Sequence, residues 1–559
     1  MPTRRHRLAA IGALAVYSAF AFLFFGLWLL TGSGSRYLGQ GTDPQIFIWA
    51  FAWWPHAITH AMNPFVSHAV WSPEGIDLAW TTTVPALAIV FSPLTFLAGP
   101  VVSYNVAAVV MPALAAWTAF LLCRHVTERF WPSLAGGYLF GFSSFMVGQE
   151  LGHMQLTPAF LLPLIALVVL RYLEGGLGGR GLVLRLGPLL ALQLLIGTEL
   201  EFTVTLALAC SLVIGYAVAP SLRGRLVASI GPLVGAYVFA VVLTAPFVYY
   251  LLVGLHSEGF HHPWAYNADL VNFVVPTRLS LAAAGWADPI SRHFPGNVDE
   301  RGAYVGIPAL VIVALFALER RRSAGGRFLL VAFALAVLAA LGFELVVNGN
   351  RLFELPWGWF GRAPLFNNVL PVRLSLYVAL VVAVMVAIWA ASRGGVARWL
   401  LPALAILAIV PRPATNTWSQ AYTVPPFFAD AAYRTCLVRD ENVLPLPAIQ
   451  DGDANLWQVT SDFRFRMAAG YVAAAPPASS ITSPAVSWLV QGPPHVSQAV
   501  VDNMRTFLGS KGITSVVVDP RRRRGRAWLP LLDRIGTAHR IGGVVWYHLV
   551  PTPSACPGA

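Results

Sequence analysis

The sequence predicts an all-α polytopic membrane domain with about eleven transmembrane helices, followed by a small α/β soluble domain. Three observations lead to this prediction. Of the 559 residues, 57% are hydrophobic and only 11% are charged, whereas a soluble globular protein has about 25% charged residues. The hydrophobic residues form long runs, and arginines cluster between these runs. We therefore expect a membrane domain at 1–411 and an extracytoplasmic domain at 412–559.

A helix that crosses a bilayer needs about 20 mostly apolar residues, because backbone hydrogen bonds in hydrocarbon must be made within the protein. The first such run, 8–31, follows a cluster of arginines and lacks the small-residue cleavage site of a signal peptide. We expect it to enter the membrane from the cytoplasm. Further runs occur at 101–123, 131–149, 156–173, 186–199, 201–219, 226–254, 303–319, 327–345, 373–391 and 397–411.

The arginines set the predicted orientation, because cytoplasmic loops of membrane proteins are enriched in basic residues. With the N-terminus in the cytoplasm, every inner loop is basic, and the outer loops are 32–84, 255–302 and 346–372. The net charge of +12 is then a sign of topology and does not indicate a nucleic-acid partner. We predict a multi-pass protein of a bacterial inner membrane, with residues 412–559 on the periplasmic or extracellular side. The inner-loop arginines are Arg124, Arg129, Arg171, Arg180, Arg185, Arg223, Arg225, Arg320, Arg321, Arg322, Arg327, Arg393 and Arg398.

The C-terminal domain is predicted from its strand and helix patterns. Two segments, "NVLPLP" and "ITSVVVDP", have the composition of buried strands. The segment "VSQAVVDNMRTFLGSKG" has the periodicity of an amphipathic helix. The tail "HRIGGVVWYHLV" contains a Gly-Gly turn and predicts a hairpin or a final strand.

Cysteine and histidine patterns give one open question and no metal site. Cys436 and Cys556 both lie in the outer domain, which would face an oxidising compartment, so they form either a disulfide or two free thiols. His261 and His262 could form a metal site with Asp269, but their spacing is not diagnostic. No divalent metal is predicted.

The first outer loop contains the residue of greatest chemical interest, Asp43. It lies between Thr42 and Pro44, and a proline at this position suits the first turn of a helix. The following "IFIWAFAWWPHAITHAM" is aromatic, is interrupted by Pro55, and predicts an amphipathic helix lying in the membrane interface. From these residues alone, Asp43 is either a helix cap or a catalytic carboxylate.

This layout resembles the GT-C superfamily of polytopic glycosyltransferases. The resemblance covers the membrane architecture over 1–411, with the local patterns "ADLVNFVVP" and "ERGAYVG" similar to those of bacterial members. In the superfamily, an Asp or Glu early in the first outer loop acts as the base or orienting carboxylate. The resemblance implies a GT-C-like domain in which Asp43 is catalytic.

The resemblance also implies the substrates. GT-C enzymes take a sugar from a polyprenyl-phosphate donor, and a glycan, glycolipid or protein of the cell envelope would be the acceptor. Such a donor needs no nucleotide, and the sequence has no G-x-G-x-x-G or P-loop pattern. Membrane lipid and the donor are the expected partners, and no further cofactor is predicted.

Transfer also requires cations that hold the phosphate leaving group, and arginine suits this task because its planar fork makes paired contacts. Three of the candidate residues also fit a purely structural role. A turn residue bonded to backbone would account for His153, a snorkelling side chain for Arg373 and a solvated turn residue for Glu201. The predicted substrate- and phosphate-binding residues are His153, Arg278, Arg301, Arg373, Glu150 and Glu201.

Two other functions remain alternatives. A transporter or flippase of lipid-linked saccharides would have internal repeats and polar groups at mid-membrane, whereas the polar residues of this chain gather in the outer loops. A non-catalytic envelope assembly protein is also consistent with the sequence, because helix capping would account for Asp43 without catalysis.

Overall fold

A computed structural model describes residues 4–32, 34–254, 263–361, 363, 365–392, 394–473, 476–549 and 556. His261 and His262, weighed above as metal ligands, lie outside these residues. The chain forms two compact units. The helical unit comprises Met1–Ser33, Asn105–Pro246 and His256–Gln420, and the sheet unit comprises Gly34–Tyr104, Phe247–Leu255 and Ala421–Ala559.

Each apolar run predicted from the sequence contains a helix. Within the described residues, six helical segments are long and apolar enough to cross a membrane: His6–Gly26, Pro100–Thr127, Thr198–Val218, Pro220–Leu243, Ala324–Leu341 and Pro371–Ala391. The count of about eleven crossings stays a prediction. Other helices are Phe130–Gly141, Ser144–Gln149, Leu161–Leu173, Gly179–Leu194, Ala245–Val253, Ile307–Arg320 and Ala397–Ala408.

Two predicted runs are broken into shorter helices. The run 226–254 forms two helices separated at Thr244, whose hydroxyl donates to the carbonyl of Ala240 at 2.8 Å. The run 131–149 forms two helices separated by Phe142 and Ser143. The Ser143 hydroxyl accepts the N–H of Met146 in the first turn of the second helix. In both places a hydroxyl bonds the backbone at the break between helices.

The boundary predicted at Glu199 is wrong. The preceding helix ends at Leu194, and Gly197 has an extended backbone that separates it from the next helix, Thr198–Val218. Glu199 and Glu201 therefore lie in the first turn of that helix, not in a loop between helices.

The sheet unit contains a mixed five-stranded sheet. The strands Glu441–Leu446 and Ser515–Val518 occupy the two segments predicted as buried strands, and they pair in parallel. The tail forms a hairpin whose turn is Gly542-Gly543, with φ of +53° and +80°, a backbone that glycine adopts without strain. The predicted amphipathic helix is Gln498–Ser510. In spatial order the strands are Ala538–Ile541, Val544–His548, Ser515–Val518, Glu441–Leu446 and Phe465–Met467.

Shorter elements complete the two units. The sheet unit has the helices Pro85–Val90, Ser92–Ala98, Ala454–Thr460 and Pro484–Gln491 and the strand pair Val66–Ser67 with Ile76–Asp77. The helical unit has a hairpin of Glu344–Val347 with Asn350–Glu354. The carboxylate of Asp269 holds this hairpin by accepting the N–H groups of Asn348 and Gly349 at 2.9 and 2.7 Å.

The helix Asp43–Thr59 is not amphipathic, so that prediction is wrong. Of its 17 residues, the buried ones include nearly every position from Pro44 to Pro55, on all faces of the helix. The indole of Trp49 donates to the side-chain oxygen of Gln458 at 2.7 Å, and Phe463 packs against the same ring. The helix continues through Pro55. It is a core element of the sheet unit.

The sheet unit carries a disulfide between Cys436 and Cys556, whose Cα atoms lie 4.4 Å apart. The two cysteines are 120 residues apart in sequence, so the bond closes most of the C-terminal part of the chain into one loop. Among the described residues, Cys123 is a buried free thiol and Cys210 an exposed one.

Loss of this disulfide is expected to destabilise the sheet unit. Cross-linking residues 120 apart lowers the entropy of the unfolded chain, which contributes about 4–5 kcal/mol in the loop-closure model. Cys436→Ser/Cys556→Ser should lower the Tm measured without reductant and make that Tm insensitive to reductant. Cys210→Ser is the matched control and should unfold like wild type. Equal Tm values for wild type and the double variant would contradict this expectation.

Candidate functional site

Asp43 is held by a tyrosine from a distant part of the sheet unit. The helix begins at Asp43 itself, and Thr42 occupies the cap position, so the predicted cap is displaced by one residue. The hydroxyl of Tyr471 donates to Asp43 Oδ1 at 2.7 Å. The Asp43 side chain is half-buried. It thus combines a fixed orientation with access to solvent, as a reacting carboxylate requires.

Tyr471 is itself held by Gln450 and Asn455. The amide of Gln450 donates to the Tyr471 hydroxyl at 3.1 Å, and Asn455 donates to the Tyr471 carbonyl at 2.7 Å. The Thr42 hydroxyl donates to the Gln450 carbonyl at 3.0 Å and so links the start of the Asp43 helix to the loop that carries Gln450. Burial and the Asp43 carboxylate raise the pKa of Tyr471, so it stays protonated and donates.

The loop that carries Gln450 is anchored by buried charge. Asp453, 3% exposed, accepts from Gln45 of the helix at 2.6 Å and pairs with Arg522. Arg524 pairs with Asp451 in the same loop. The arginine run after the central strand is thus engaged with carboxylates that support the Asp43 site.

A second polar cluster lies in the helical unit around Arg373. Its Nε donates to both carboxylate oxygens of Glu300 at 3.0 and 3.2 Å, and Nη2 donates to Glu300 at 2.5 Å. Its Nη1 donates to Glu199. Arg373 is 8% exposed and Glu300 is 3% exposed. Two carboxylates therefore occupy this guanidinium, and a phosphate would have to compete with them.

His153 extends the cluster. Its Nδ1 lies 2.6 Å from the side-chain oxygen of Gln149 and 3.7 Å from Glu300, and its Nε2 lies 3.6 Å from Asp299. Burial raises the pKa of Glu300, but Arg373, His153 and Gln149 outweigh this effect, and the net pKa lies below its ordinary value. Glu300 is therefore an ionised carboxylate within the protein.

Arg301 and Arg278 form an adjoining pair of like charges. Arg301 is half-buried and donates to the carbonyls of Gly296 at 2.7 Å and Pro295 at 3.4 Å. Burial and the nearby charge of Arg278 lower the pKa of Arg301, while Asp299 opposes them. Arg278 is exposed, and within the described part of the chain no hydrogen bond to its guanidinium occurs. An anion placed between the two would relieve their repulsion.

Glu150 and Glu201 are buried acids outside these contacts. Burial raises the pKa of Glu150 well above its ordinary value, and neither of its oxygens has a partner among the residues the structure describes. Burial thus favours the neutral form of the Glu150 carboxyl group. Glu201 has one buried carboxylate oxygen without a partner in the same described ranges.

The segment Asp299–Arg301 joins the predicted residues of the helical unit. It contacts His153, Arg373 and, through charge, Arg278. Sequence reasoning missed Glu300, although it opens the pattern "ERGAYVG". It also missed Tyr471, Gln450 and Asp453, and no local signal marks them, because their partners are more than 400 residues away. In the described ranges, no three His, Cys, Asp or Glu side chains form a metal site.

The fold is that of the GT-C superfamily of membrane glycosyltransferases. The arabinofuranosyltransferase AftD from Mycobacteria is 16% identical over 99% of this chain and 40% of its own, with a TM-score of 0.56. An oligosaccharyltransferase from Archaeoglobus fulgidus, in the apo form, is 14% identical over 98% of this chain and 75% of its own, with a TM-score of 0.52. The archaeal oligosaccharyltransferase AglB from Archaeoglobus fulgidus, bound to an inhibitory peptide and a dolichol-phosphate, is 13% identical over 98% and 75%, with a TM-score of 0.50.

The chain belongs to the family described as "Domain of unknown function (DUF6311)", which matches residues 14–411. No curated protein sequence matches the chain. The comparisons show the fold and the family of the chain, and the two side-chain clusters are the candidate sites for its chemistry.

Glu300→Gln is expected to destabilise the helical unit. It leaves the buried Arg373 charge with one carboxylate, and breaking a buried ion pair costs about 3–5 kcal/mol. Because folding lowers the pKa of Glu300, its contribution is complete above the ordinary value of 4.5 and is lost as pH falls below it. The variant should therefore have a lower Tm than wild type at neutral pH. Below pH 4.5, its Tm should decrease further by less than the Tm of wild type does.

Glu319→Gln is the matched control for this measurement. Glu319 pairs with Arg398, but it is 38% exposed, so its loss should cost about 1 kcal/mol or less. Equal destabilisation by the two substitutions would show that the Arg373 cluster contributes no more than a surface ion pair. If the Tm of Glu300→Gln falls at acidic pH as much as that of wild type, a group other than Glu300 controls the loss of stability in acid.

Proposed function

We propose that this protein is a membrane glycosyltransferase that moves a sugar from a polyprenyl-phosphate donor to an envelope glycan, glycolipid or protein. The observation that carries the proposal is the Asp43 carboxylate. It lies at the start of a buried helix, it is half-buried, and Tyr471 orients it at 2.7 Å. A helix start alone needs no such partner, because a capping side chain is satisfied by its own backbone.

The proposed chemistry uses Asp43 as a general base. The acceptor hydroxyl attacks the anomeric carbon of the sugar, its proton passes to the Asp43 carboxylate, and the bond from that carbon to the phosphate oxygen breaks. Polyprenyl phosphate leaves with the bonding electrons. Tyr471 holds the carboxylate in the orientation that accepts the proton.

Arg278 and Arg301 are the residues we propose for the donor phosphate. They are neighbouring cations, one exposed and one half-buried, and neither pairs with a carboxylate as closely as Arg373 does. A phosphate would accept paired bonds from both guanidinium groups as its charge develops. The dolichol-phosphate in the AglB complex supports a lipid phosphate as the class of donor.

The proposed location is a bacterial inner membrane with the N-terminus in the cytoplasm. The support is the arginine distribution, which marks one set of loops as cytoplasmic. With that orientation the sugar transfer takes place on the outer face, and residues 412–559 lie on the same side. His153 and Glu300 would then support the phosphate-binding arginines from within the protein.

Asp43→Asn is expected to abolish glycan transfer without unfolding the protein. Asparagine keeps the size and the helix start but cannot take a proton at neutral pH. The measurement is the envelope glycan profile of a deletion strain complemented with each variant at matched protein level. Asp288→Asn is the control, because Asp288 also begins a helix before a proline and is exposed. A normal profile with Asp43→Asn would reject the enzyme proposal.

Tyr471→Phe is expected to slow transfer roughly tenfold to a hundredfold. Hydrogen bonds to charged groups contribute about 1.5–3 kcal/mol, and about 1.4 kcal/mol corresponds to a factor of ten in rate. The measurement is the initial rate of glycan appearance after induction, together with Tm. Tyr422→Phe removes a hydroxyl that bonds only the Gly34 carbonyl, and it should leave the rate unchanged. Equal rates for Tyr471→Phe and wild type would mean that Tyr471 does not position Asp43.

A further inference from the structure

The helical unit contains a large apolar cavity between its helices. Its volume is about 850 Å³, within the range of ligand-binding pockets. Its walls come mainly from the helices Leu161–Leu173, Thr198–Val218, Ala324–Leu341 and Ser375–Ala391. Most wall residues are leucine, valine, alanine or isoleucine. Such a wall favours hydrocarbon over any polar ligand.

The cavity is long. Along the helix Ser375–Ala391 its lining runs from Tyr377 to Ala391, about 21 Å at 1.5 Å per residue. Half of a bilayer's hydrocarbon core is about 15 Å thick. An acyl chain of ordinary length therefore fits along this axis.

Polar and cationic groups line the cavity where helices begin and end. Arg129 follows the helix Pro100–Thr127, Arg320 ends Ile307–Arg320, and Ser392 follows Ser375–Ala391. Arg320 donates to the Ser392 hydroxyl at 3.3 Å. These residues belong to the loops and helix ends that the arginine pattern assigns to the cytoplasmic face.

The N-terminus of the helix Ala324–Leu341 lines the same region. Ser323 caps it by accepting the N–H of Gly326 at 3.0 Å. Gly325 also lines the cavity, and a Cβ atom added there would meet no atom within 4 Å. The positive end of an 18-residue helix therefore faces open space beside Arg320.

Three acids belong to the loops at this end, and Glu128, exposed beside Arg129 in sequence, makes no ion pair within the described residues. Glu174 bonds His125 at 2.7 Å, and Glu319 bonds Arg398 at 2.6 Å. The guanidinium of Arg129 makes no hydrogen bond within the described residues. A hydrocarbon-lined cavity with a cationic end matches an amphipathic anion.

We propose that this cavity binds one anionic phospholipid of the membrane. Arg129, Arg320 and the helix N-terminus that begins at Ala324 hold the phosphate, and an acyl chain lies along the apolar wall. This site is separate from the proposed donor site, because its cationic end belongs to the loops assigned to the cytoplasm. The proposal does not depend on glycosyl transfer.

The test uses the purified full-length protein in mild detergent. Lipid binding is measured by native mass spectrometry and by the rise in Tm on adding phosphatidylglycerol or phosphatidylcholine. We expect wild type to retain phosphatidylglycerol and to bind it at least tenfold more tightly than phosphatidylcholine. Arg129→Ala/Arg320→Ala should abolish this preference, whereas Arg129→Lys/Arg320→Lys should keep most of it.

Two further variants separate the site from general surface charge. Arg322→Ala removes an exposed arginine of the same loop that does not line the cavity, and it should bind lipid like wild type. Ala332→Phe narrows the cavity without altering charge and should weaken binding at least tenfold. Equal binding of the two lipids, or wild-type affinity in Arg129→Ala/Arg320→Ala, would overturn the proposal. Displacement of phosphatidylglycerol by polyprenyl phosphate would also overturn it, because the cavity would then belong to the donor.

Discussion

The buried guanidinium of Arg373 is the charge around which the helical unit is organised. A charge in a site that excludes water is stable only when it is paired and hydrogen-bonded. Glu300 and Glu199 supply that pairing from two other parts of the chain, so one side chain ties together the helix at Thr198–Val218, the loop at Asp299–Arg301 and the start of Ser375–Ala391. The position of Arg301, and with it the Arg278–Arg301 pair, follows from where Glu300 is held.

In the sheet unit, the Asp43 carboxylate is oriented by a network of hydrogen bonds. The Tyr471 hydroxyl donates to this carboxylate, the Gln450 amide donates to that hydroxyl, and Asn455 donates to the Tyr471 carbonyl. The buried carboxylate of Asp453, which pairs with Arg522, anchors the loop that carries Gln450. The result is a carboxylate whose position depends on the C-terminal part of the chain. This dependence gives residues 450–471 a role that a plain cover for an active site would not have.

The apolar cavity adds a third kind of constraint. Close packing of helices leaves few voids, so an apolar cavity of about 850 Å³ offers many contacts to a hydrocarbon chain. The proposed lipid makes those contacts, and the cationic groups at the end of the cavity select its headgroup. In this proposal, membrane lipid surrounds the helical unit, and one lipid molecule also binds within it.

Local pattern was enough for several parts of this protein. Apolar runs mark the helices because hydrocarbon demands internal hydrogen bonds, and alternation with glycine turns marks the strands at Glu441–Leu446 and Ser515–Val518. Asp43 was singled out because an acid before a proline at the start of an outer-loop helix is a local feature, and the GT-C resemblance depended on the order of such features. The break at Gly197 was placed a few residues too late, because Glu199 and Glu201 interrupt the apolar pattern more strongly than Gly197 does.

The amino-acid pattern was therefore sufficient for the helical class of the fold, for the approximate positions of the apolar helices and of two buried strands, and for Asp43 as a candidate. Only the folded structure shows which side chains are in contact. Tyr471 reaches Asp43 across 428 residues, and Glu300 and Glu199 both bond the Arg373 guanidinium. The helix predicted to lie at a water–lipid boundary is buried on every face. Pattern along a chain records which side chains avoid water, whereas hydrogen bonds and ion pairs depend on distances in space that the pattern does not encode.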